Sequence, residues 1–483
     1  MISKRIIPLC FTFLIAFSIK NNAQEQLGLR LDNYAGVNAL TLNPAANATN
    51  PLTWDVNLAG FGAWINTNLG YIQKANVSKV LNNMNNIGPN PDLKMAHKGT
   101  PALYYNINEK NSYNFSVGAR VMGPSIAINL KSGHSFGLFT GARFMMTSHD
   151  LTKLASPVEF NQIKYNQTFK VEPFKVAGMA WTEIGVNYAY QFDTDTEGGL
   201  TIGANVKYLQ GFQGFFLNNY NGTMASRANR DTFKIDAIRA TAGFTTSYDS
   251  NIFQQNGSGL GIDIGVVLKT DGGSDRPYGW RFGASLIDLG NITISGAAEV
   301  HSFNSKEPFQ LQSMDFDSLN VANGTGANPR AAALAKVDEK ISSVQKNTNL
   351  GNSFVMGMPS AIQLQADYAF SNNLFVNGLL IQRFKLNEVA LERENIIALT
   401  PRYESRWLGA SMPISITNMQ NVQVGLNARL AFLSFGTERL FSWLGTSKLS
   451  SADFYVALKL NPFQLNLFNK GGSGGKKPNC YRF

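Results

Sequence analysis

The sequence predicts an all-β protein, a transmembrane antiparallel β-barrel, from three observations. Paired runs of residues alternate strictly between apolar and polar, no amphipathic helix separates these runs, and aromatic residues crowd one end of each apolar face. The clearest pair of runs spans residues 183–209. Its first run places five apolar side chains on one face, as the period of two in a β-strand requires: Ile184, Val186, Tyr188, Tyr190 and Phe192.

Two further hairpins repeat this pattern, at 260–286 and from residue 362 onward. In a soluble sheet each apolar face would need a covering layer, and no interleaved helices supply one. The aromatic residues at the strand ends lie beside the turns, where amphipathic rings favour a membrane interface. We therefore expect a periplasmic aromatic girdle made of Tyr190, Phe192, Tyr278, Trp280, Tyr368 and Phe370.

Composition agrees with this fold class. Only 15% of the 483 residues are charged, which is low for a chain with 44% hydrophobic residues. After the first 23 residues no apolar run reaches the 18 residues expected of a membrane-spanning helix. Strands can cross a bilayer only as a closed barrel, so the predicted location is the outer membrane of a Gram-negative bacterium.

The first 23 residues have the features of a secretory signal peptide. Lys4 and Arg5 supply a positive start, residues 6–19 are mostly apolar, and residues 21–23 form a small-residue cleavage site. The apolar run is shorter than a transmembrane anchor. Its removal would leave Cys480 as the single cysteine, so no internal disulfide is predicted.

The mature chain divides into three parts. Residues 24–51 are small and polar and are broken by Pro44, so we expect an N-terminal hatch folded into the lumen, with Asn43, Pro44 and Ala45 at its centre. Residues 52–462 form the barrel, with about 14 strands and 16 as the alternative, because single-chain bacterial barrels favour even numbers. Residues 463–483 read as a flexible, basic periplasmic tail.

Several barrel segments carry more specific expectations. Residues 77–84 have a helical period, which predicts a short helix. Residues 103–146 are predicted to form a meander of four strands. Residues 302–358 are predicted to be a long extracellular loop that contains a helix at 329–344.

Polar residues opposite the apolar faces are predicted to line the lumen. Their role remains open between salt-bridged filling of a narrow barrel and a permeation path of mixed charge. A charge introduced at such a position is expected to cost far less than one on the lipid-facing side. The lumen-lining candidates are Glu183, Asn187, Lys207, Asp263, Lys269, Arg281, Asp367, Arg402, Glu404 and Arg429.

The search for catalytic chemistry gives no candidate. The four histidines lie far apart, without the spacing of a metal site. His149 and His301 each suggest the Ser–His chemistry of a barrel phospholipase, but both are predicted in solvated loops. The glycines at 257, 259 and 261 precede a strand and offer no helix N-terminus for phosphate. No catalytic residue, metal or cofactor is predicted, and the chain is not expected to be an enzyme.

Three segments carry a resemblance to a family. They are residues 33–38 followed by Asn43-Pro44-Ala45, residues 261–265 leading to 286–290, and the terminal Cys480–Phe483. Together they resemble the uncharacterised outer-membrane barrels of Bacteroidota, a domain of unknown function, over nearly the whole mature chain. The Asn-Pro-Ala element is also similar to the hatch of FadL-type channels and of the PorV component of type IX secretion, although residues 39–42 depart from the Asp-Ala-Ser type run that those families place before it.

Two hypotheses of function follow. The first is a hatch-plugged outer-membrane channel for a small ligand, with hydrophobic molecules among the candidates. The second is a non-conducting barrel that acts as a scaffold or partner in a secretion or surface-attachment complex. A soluble secreted β-sandwich is a third, weaker alternative. The expected partners are outer-membrane lipid, the barrel-assembly machinery and, in the second hypothesis, a secretion-system or surface protein; no nucleic acid is expected, because the aromatic residues share the apolar face.

Overall fold

The computed structural model describes residues 25–93, 99–130, 132–152, 163–193, 198–229, 232–247, 251–312, 339–345, 348–418 and 421–462. The predicted signal peptide, the tail at 463–483 and most of the predicted helix at 329–344 lie outside these described residues. Within the described ranges, no helix combines the length and the apolar character needed to cross a bilayer.

The wall is a closed antiparallel barrel of 14 strands, several of them interrupted. The first seven are β1 (Trp54–Thr67), β2 (Ser112–Met122 and Ser125–Asn129), β3 (His134–Thr152), β4 (Phe174–Asp193), β5 (Gly199–Asn219), β6 (Thr232–Thr245 and Gly257–Lys269) and β7 (Trp280–Ile294, Ala298–Ser305 and Phe309–Gln312). The others are β8 (Asn349–Gly351, Phe354–Gly357 and Ala361–Ala369), β9 (Leu374–Arg383), β10 (Ile396–Glu404), β11 (Leu408–Ser411 and Ile414–Thr417), β12 (Asn421–Val424 and Leu426–Leu430), β13 (Leu433–Thr437) and β14 (Ser451–Leu460).

Each strand pairs with its neighbours in sequence, and β1 closes the barrel by pairing with both β2 and β14. At the closing seam Phe61 lies opposite Val456 of β14 and Val121 of β2. The predicted all-β barrel and its strand number are therefore confirmed.

Two strand assignments made from the sequence are wrong in detail. Residues 103–107 do not join the wall; they form a separate three-stranded sheet with Gly70–Ile72 and Ile87–Pro89. Residues 112–122 and 125–129 are one strand, because both face β1 in a single register. Pro124 lacks the N–H that a ladder needs, so it interrupts the strand without ending it.

The predicted loop at 302–358 is also shorter than expected. The wall continues through Phe309–Gln312 in β7 and resumes at Asn349 in β8. Neither stretch shows sustained alternation, since both are short and irregular, and their pairing depends on β6 and β7 beside them. The stretch that separates them is therefore confined to about residues 313–348.

The two ends of the barrel differ. One end, called the short-turn end here, carries brief connections such as 405–407 and 431–432, together with the start of β1 at Trp54 and the end of β14 at Leu460. The opposite, long-loop end carries the three-stranded sheet, the paired segments Thr168–Lys170 and Met224–Arg227, and several short helices. These helices are Val77–Asn82, Met84–Asn86 and Pro91–Leu93. The predicted helix near 77–84 is thus present, and the Asn76 side chain caps it.

The wall has one irregular place, at β13. This strand has 5 residues and ends at Thr437. Beyond it the helix Leu440–Leu444 lies between β12 and β14, where a longer β13 would run. The Trp443 indole N–H donates to the Asp453 carbonyl of β14 at 2.9 Å. A helical turn therefore takes the place of strand pairing in this part of the wall.

The outward face carries the exposed apolar side chains that the alternation predicts, including Ile184, Val186 and Ile264. Five of the six aromatic girdle residues are exposed or half-buried at the short-turn end. The prediction for Tyr278 is wrong, because its side chain is only 2% exposed and its hydroxyl donates to Asp367. β7 begins at Trp280, so Tyr278 belongs to the preceding turn. In a turn the alternation of a strand no longer determines which way a side chain points.

Residues 25–51 lie among inward-facing side chains from strands around the barrel. They form the helix Leu27–Arg30 and the 3-10 helices Gly36–Thr41 and Pro44–Ala46. Their apolar side chains make three small cores with the wall. One joins Leu27, Leu31 and Leu42 to β7–β10, the second joins Val37 and Leu40 to β2 and β3, and the third joins Leu29 to β14.

Candidate functional site

The Asn43-Pro44-Ala45 turn rests on the inner face of β5, β6 and β7. The Asn43 side chain accepts from the Ala45 N–H at 3.0 Å, which fixes the start of the turn. Its amide also donates to the carbonyls of Val266 at 3.2 Å and Ala284 at 3.4 Å. A Cβ at Gly203 would lie 2.6 Å from the Ala45 nitrogen, so glycine is needed there to admit the turn.

A line of amides joins this segment to the wall. Asn47 donates to Asn187 at 2.8 Å, Asn187 donates to Asn205 at 2.7 Å, and Asn205 donates to Asp263 at 2.8 Å. Asn187 also donates to the Pro44 carbonyl at 3.1 Å. Asn187 is therefore buried against the N-terminal segment, which fills the lumen at this position.

Charged side chains toward the long-loop end form the upper network. Its centre is Asp288, which accepts from Lys207 at 2.6 Å, from Arg143 at 2.8 Å and from Arg393 at 2.5 Å. Lys207 also pairs with Asp263 at 2.7 Å. All of these side chains are almost fully buried, so their mutual pairing offsets a large desolvation cost.

The upper network continues into the N-terminal segment. Glu25 bridges Arg393 at 2.5 Å and Arg30 at 2.7 Å. At its other edge Arg143 pairs with Glu183 at 3.0 Å. The network therefore links β3, β4, β5 and β7 through the 384–395 connection to the start of the described chain.

A lower network occupies the lumen nearer the short-turn end. Asp367 accepts from Arg281 at 2.5 Å and from Arg402 at 2.9 Å, and Arg402 pairs with Glu404 at 2.6 Å. Glu404 in turn accepts from the Asn33 N–H at 3.1 Å. The segment is thus bonded to β10 through its backbone.

Two further ion pairs hold the segment from the side. Asp32 pairs with Arg429 of β12 at 2.7 Å. Lys459 of β14 donates to the carbonyls of Tyr34 at 2.8 Å and Ala35 at 2.6 Å, and it pairs with Asp55 of β1 at 2.9 Å. These contacts tie the segment to the seam where the barrel closes.

A cavity of about 750 Å³ opens below the lower network at the short-turn end. Aromatic rings and charged groups share its lining, including Tyr34, Tyr278, Phe375, Trp407, Lys269 and Glu404. Lys269 reaches across it to donate to the Thr49 carbonyl at 2.9 Å. We call this cavity the short-turn chamber; its size is within the range of small-molecule sites.

The structure places all ten predicted lumen-lining residues inside the barrel. Glu183, Lys207 and Asp263 meet in the upper network, Asn187 lies in the amide line, and Lys269 borders the short-turn chamber. The remaining five, Arg281, Asp367, Arg402, Glu404 and Arg429, hold the lower part of the segment directly or through one another.

Several central residues were missed by sequence reasoning. Arg143 could have been found, because the alternation of β3 puts it on the same face as Gly137 and Gly141. Asp288 could not, since its φ of 55° breaks the alternation of β7 at that point. Arg393 lies in a connection, and only its contacts reveal that it turns into the barrel.

The three described histidines, His134, His149 and His301, do not come together in a reactive or metal-binding site. His149 faces Glu392 at 3.7 Å, and His301 bonds to Thr348 at 3.1 Å. Among the described residues no group of three or more His, Cys, Asp or Glu side chains is arranged to hold a metal ion.

Comparisons with solved structures return distant barrels. The toluene transporter TbuX of Ralstonia pickettii is 10% identical, covering 89% of this chain and 94% of its own, with a TM-score of 0.38. The toluene transporter TodX of Pseudomonas putida is 11% identical, covering 92% of this chain and 98% of its own, with a TM-score of 0.38. The translocator domain of the autotransporter NalP from Neisseria meningitidis is 8% identical, covering 84% and 88%, with a TM-score of 0.30.

No curated protein matches the chain significantly. A family model does match, and it spans residues 44–437, from the Asn-Pro-Ala turn to the end of β13. This range includes most of the wall and most of the inward charges described above. The chain therefore belongs to the family of unknown function DUF5723.

Proposed function

We propose that this protein is an outer-membrane channel of a Gram-negative bacterium, closed by residues 25–51 as a hatch. The observation that carries the proposal is how this segment is held. It is bound by side-chain hydrogen bonds, ion pairs and small apolar cores, and none of its described residues joins a wall strand by ladder pairing. Because no wall strand depends on the segment for its pairing, the hatch can move while the wall remains closed.

The ends of the barrel suggest its orientation. Bacterial outer-membrane barrels have short turns on the periplasmic side and long loops outside. The short-turn end, with the aromatic residues Phe192, Trp280 and Phe370, would then face the periplasm. The short-turn chamber would be the periplasmic vestibule of the channel.

The lining of the short-turn chamber supports a class of ligand. Tyr34, Tyr278, Phe375 and Trp407 provide apolar surface, while Lys269 provides a hydrogen-bond donor inside the lumen. Aromatic surface with a few placed polar groups is typical of sites for small organic molecules. We infer a small ligand with an apolar body and a polar or anionic group.

Single-channel recording tests the proposal. Removing residues 27–50 should leave a barrel that still shifts mobility on heating, with conductance far above that of the intact protein. Asp32→Asn, which breaks the pair with Arg429, should raise the frequency of brief openings. The matched control is Asp271→Asn, which removes an exposed carboxylate in a short-turn connection and should change neither. A folded deletion variant without added conductance would overturn the channel proposal.

A second candidate is the non-conducting scaffold. The observation that favours it is that the upper network, the lower network and the Asp32–Arg429 pair together bind strands from β3 to β12 across the lumen. In that case the hatch would be a permanent filling, and the long-loop end would bind a partner. Absence of conductance from intact and hatch-deleted barrels, with a protein co-purifying from membranes, would support this candidate.

A further inference from the structure

A second, smaller cavity lies inside the upper network. It has a volume of about 30 Å³, room for about two water-sized particles, and is lined by the hatch, strands β1 to β4, Pro359 and the 384–395 connection. Four guanidinium side chains line it together with Glu25 and Trp181: those of Arg30, Arg120, Arg143 and Arg393. We call it the arginine cavity.

The charges around the arginine cavity do not balance. The upper network contains five cations, namely Arg30, Arg120, Arg143, Lys207 and Arg393. It contains four carboxylates, namely Glu25, Glu183, Asp263 and Asp288. One positive charge is therefore left over in a buried place, where an uncompensated charge is costly.

Arg120 is the surplus cation. The other four each contact a carboxylate between 2.5 and 2.8 Å. Arg120 comes no nearer than 3.6 Å, to Glu183, which already accepts from Arg143. Its side chain is only 13% exposed, and its Nη2 atom is buried without a hydrogen bond.

Trp181 supplies a second donor without a partner. The residue is 1% exposed, it contributes to the wall of the arginine cavity, and its indole N–H makes no hydrogen bond. An indole nitrogen can only donate. Glu183 Oε2 is an acceptor without a hydrogen bond in the same network, but Glu183 does not line the cavity. The described wall thus offers two unmatched donors and no unmatched acceptor.

We propose that the arginine cavity binds a halide ion, chloride under ordinary conditions. The ion accepts from Arg120 and Trp181 and neutralises the surplus charge, which water in the same place would not do. The volume of about 30 Å³ suits a monatomic anion better than sulfate or an organic carboxylate. The site is part of the wall–hatch contact, and it holds whether the barrel conducts or not.

Bromide identifies the site directly. In crystals of the full chain grown in sodium bromide, an anomalous peak is expected between Arg120 and Trp181. In solution, the midpoint of thermal unfolding should rise with chloride in a saturable way, compared with gluconate at the same ionic strength. A cavity occupied by water only, with bromide elsewhere or nowhere, would overturn the proposal.

Variants separate the ion from general salt effects. Arg120→Gln removes the surplus charge and should abolish both the bromide peak and the difference between chloride and gluconate. Lys170→Gln, an exposed cation at the long-loop end with 48% of its side chain exposed, should leave both unchanged. If Arg120→Gln does not fold, Trp181→Phe keeps the charge and should raise the chloride concentration at half-effect several-fold. A chloride response unchanged in every folded variant of the cavity would refute the assignment.

Discussion

Val186→Arg is the sharpest test of which face of the barrel meets lipid. Val186 points outward from β4, is 55% exposed, and lies between Leu138 of β3 and Val206 of β5. An arginine there would place a charge on a surface that consists of apolar side chains on three adjacent strands. In water this change would cost little, whereas in a bilayer its cost depends on depth.

The depth follows from the strand geometry. Phe192 marks the short-turn edge of the apolar band on the same face, and six residues separate it from Val186. At about 3.3 Å per residue and a tilt of about 40°, Val186 lies roughly 15 Å from that edge. The apolar band of such barrels is about 25 Å tall, so Val186 is within a few ångströms of the midplane. The expected loss of stability is about 2 to 4 kcal/mol.

Thr182→Arg is the matched control. Thr182 is on the same strand and face, four residues further toward the long-loop end, which places it at the opposite edge of the band. Its expected cost is about 0 to 1 kcal/mol. Urea titrations of the two variants and the parent chain in lipid vesicles, followed by the heat-dependent shift in mobility, measure the free energies of unfolding. Equal costs at the two positions would refute a lipid-facing surface with this depth.

Two other predictions test the interior and the tail. Asn187→Arg should now cost more than Val186→Arg, because it must displace Asn47 and the Pro44 carbonyl; the same urea titration decides, and a smaller cost would contradict the packed interior. Truncation after Phe468 should leave membrane insertion intact if β14 is the closing strand, as heat-modifiability of the shortened chain would show.

Local pattern was sufficient for the regular wall and insufficient for the interior. The alternation in β4, β5 and the second half of β6 predicts which side chains face outward, because one face of each strand is apolar along its whole length. It fails at Tyr278 and Asp288, where the backbone leaves the strand conformation for a few residues. In both places the deviation turns a polar group into the lumen.

Partners of the inward charges could not be read from the sequence. Glu25 and Arg393 are 368 residues apart, and no periodicity relates the segment 25–51 to the connection between β9 and β10. The inward direction of Lys207 and Asp263 was predictable, but the hatch residues and the left-handed Asp288 beside them were not. For the same reason the sequence alone favours a mild effect of a charge at Asn187, whereas the contacts of this residue predict a large one: the period of two gives a direction and says nothing about what occupies the space beyond.

The short β13 has a consequence for how the wall fluctuates. Beyond Thr437, β12 pairs with β11 on one side, and on its other side it meets the helix Leu440–Leu444 instead of a strand. Val422 and Val424 therefore have a ladder-paired strand on one flank alone. Local opening costs least where backbone bonding is incomplete. Amide hydrogen exchange should accordingly be fastest here among the wall strands and slowest in β4 and β5, which pair along about 20 residues, so transient separation of the wall would begin between β12 and β14.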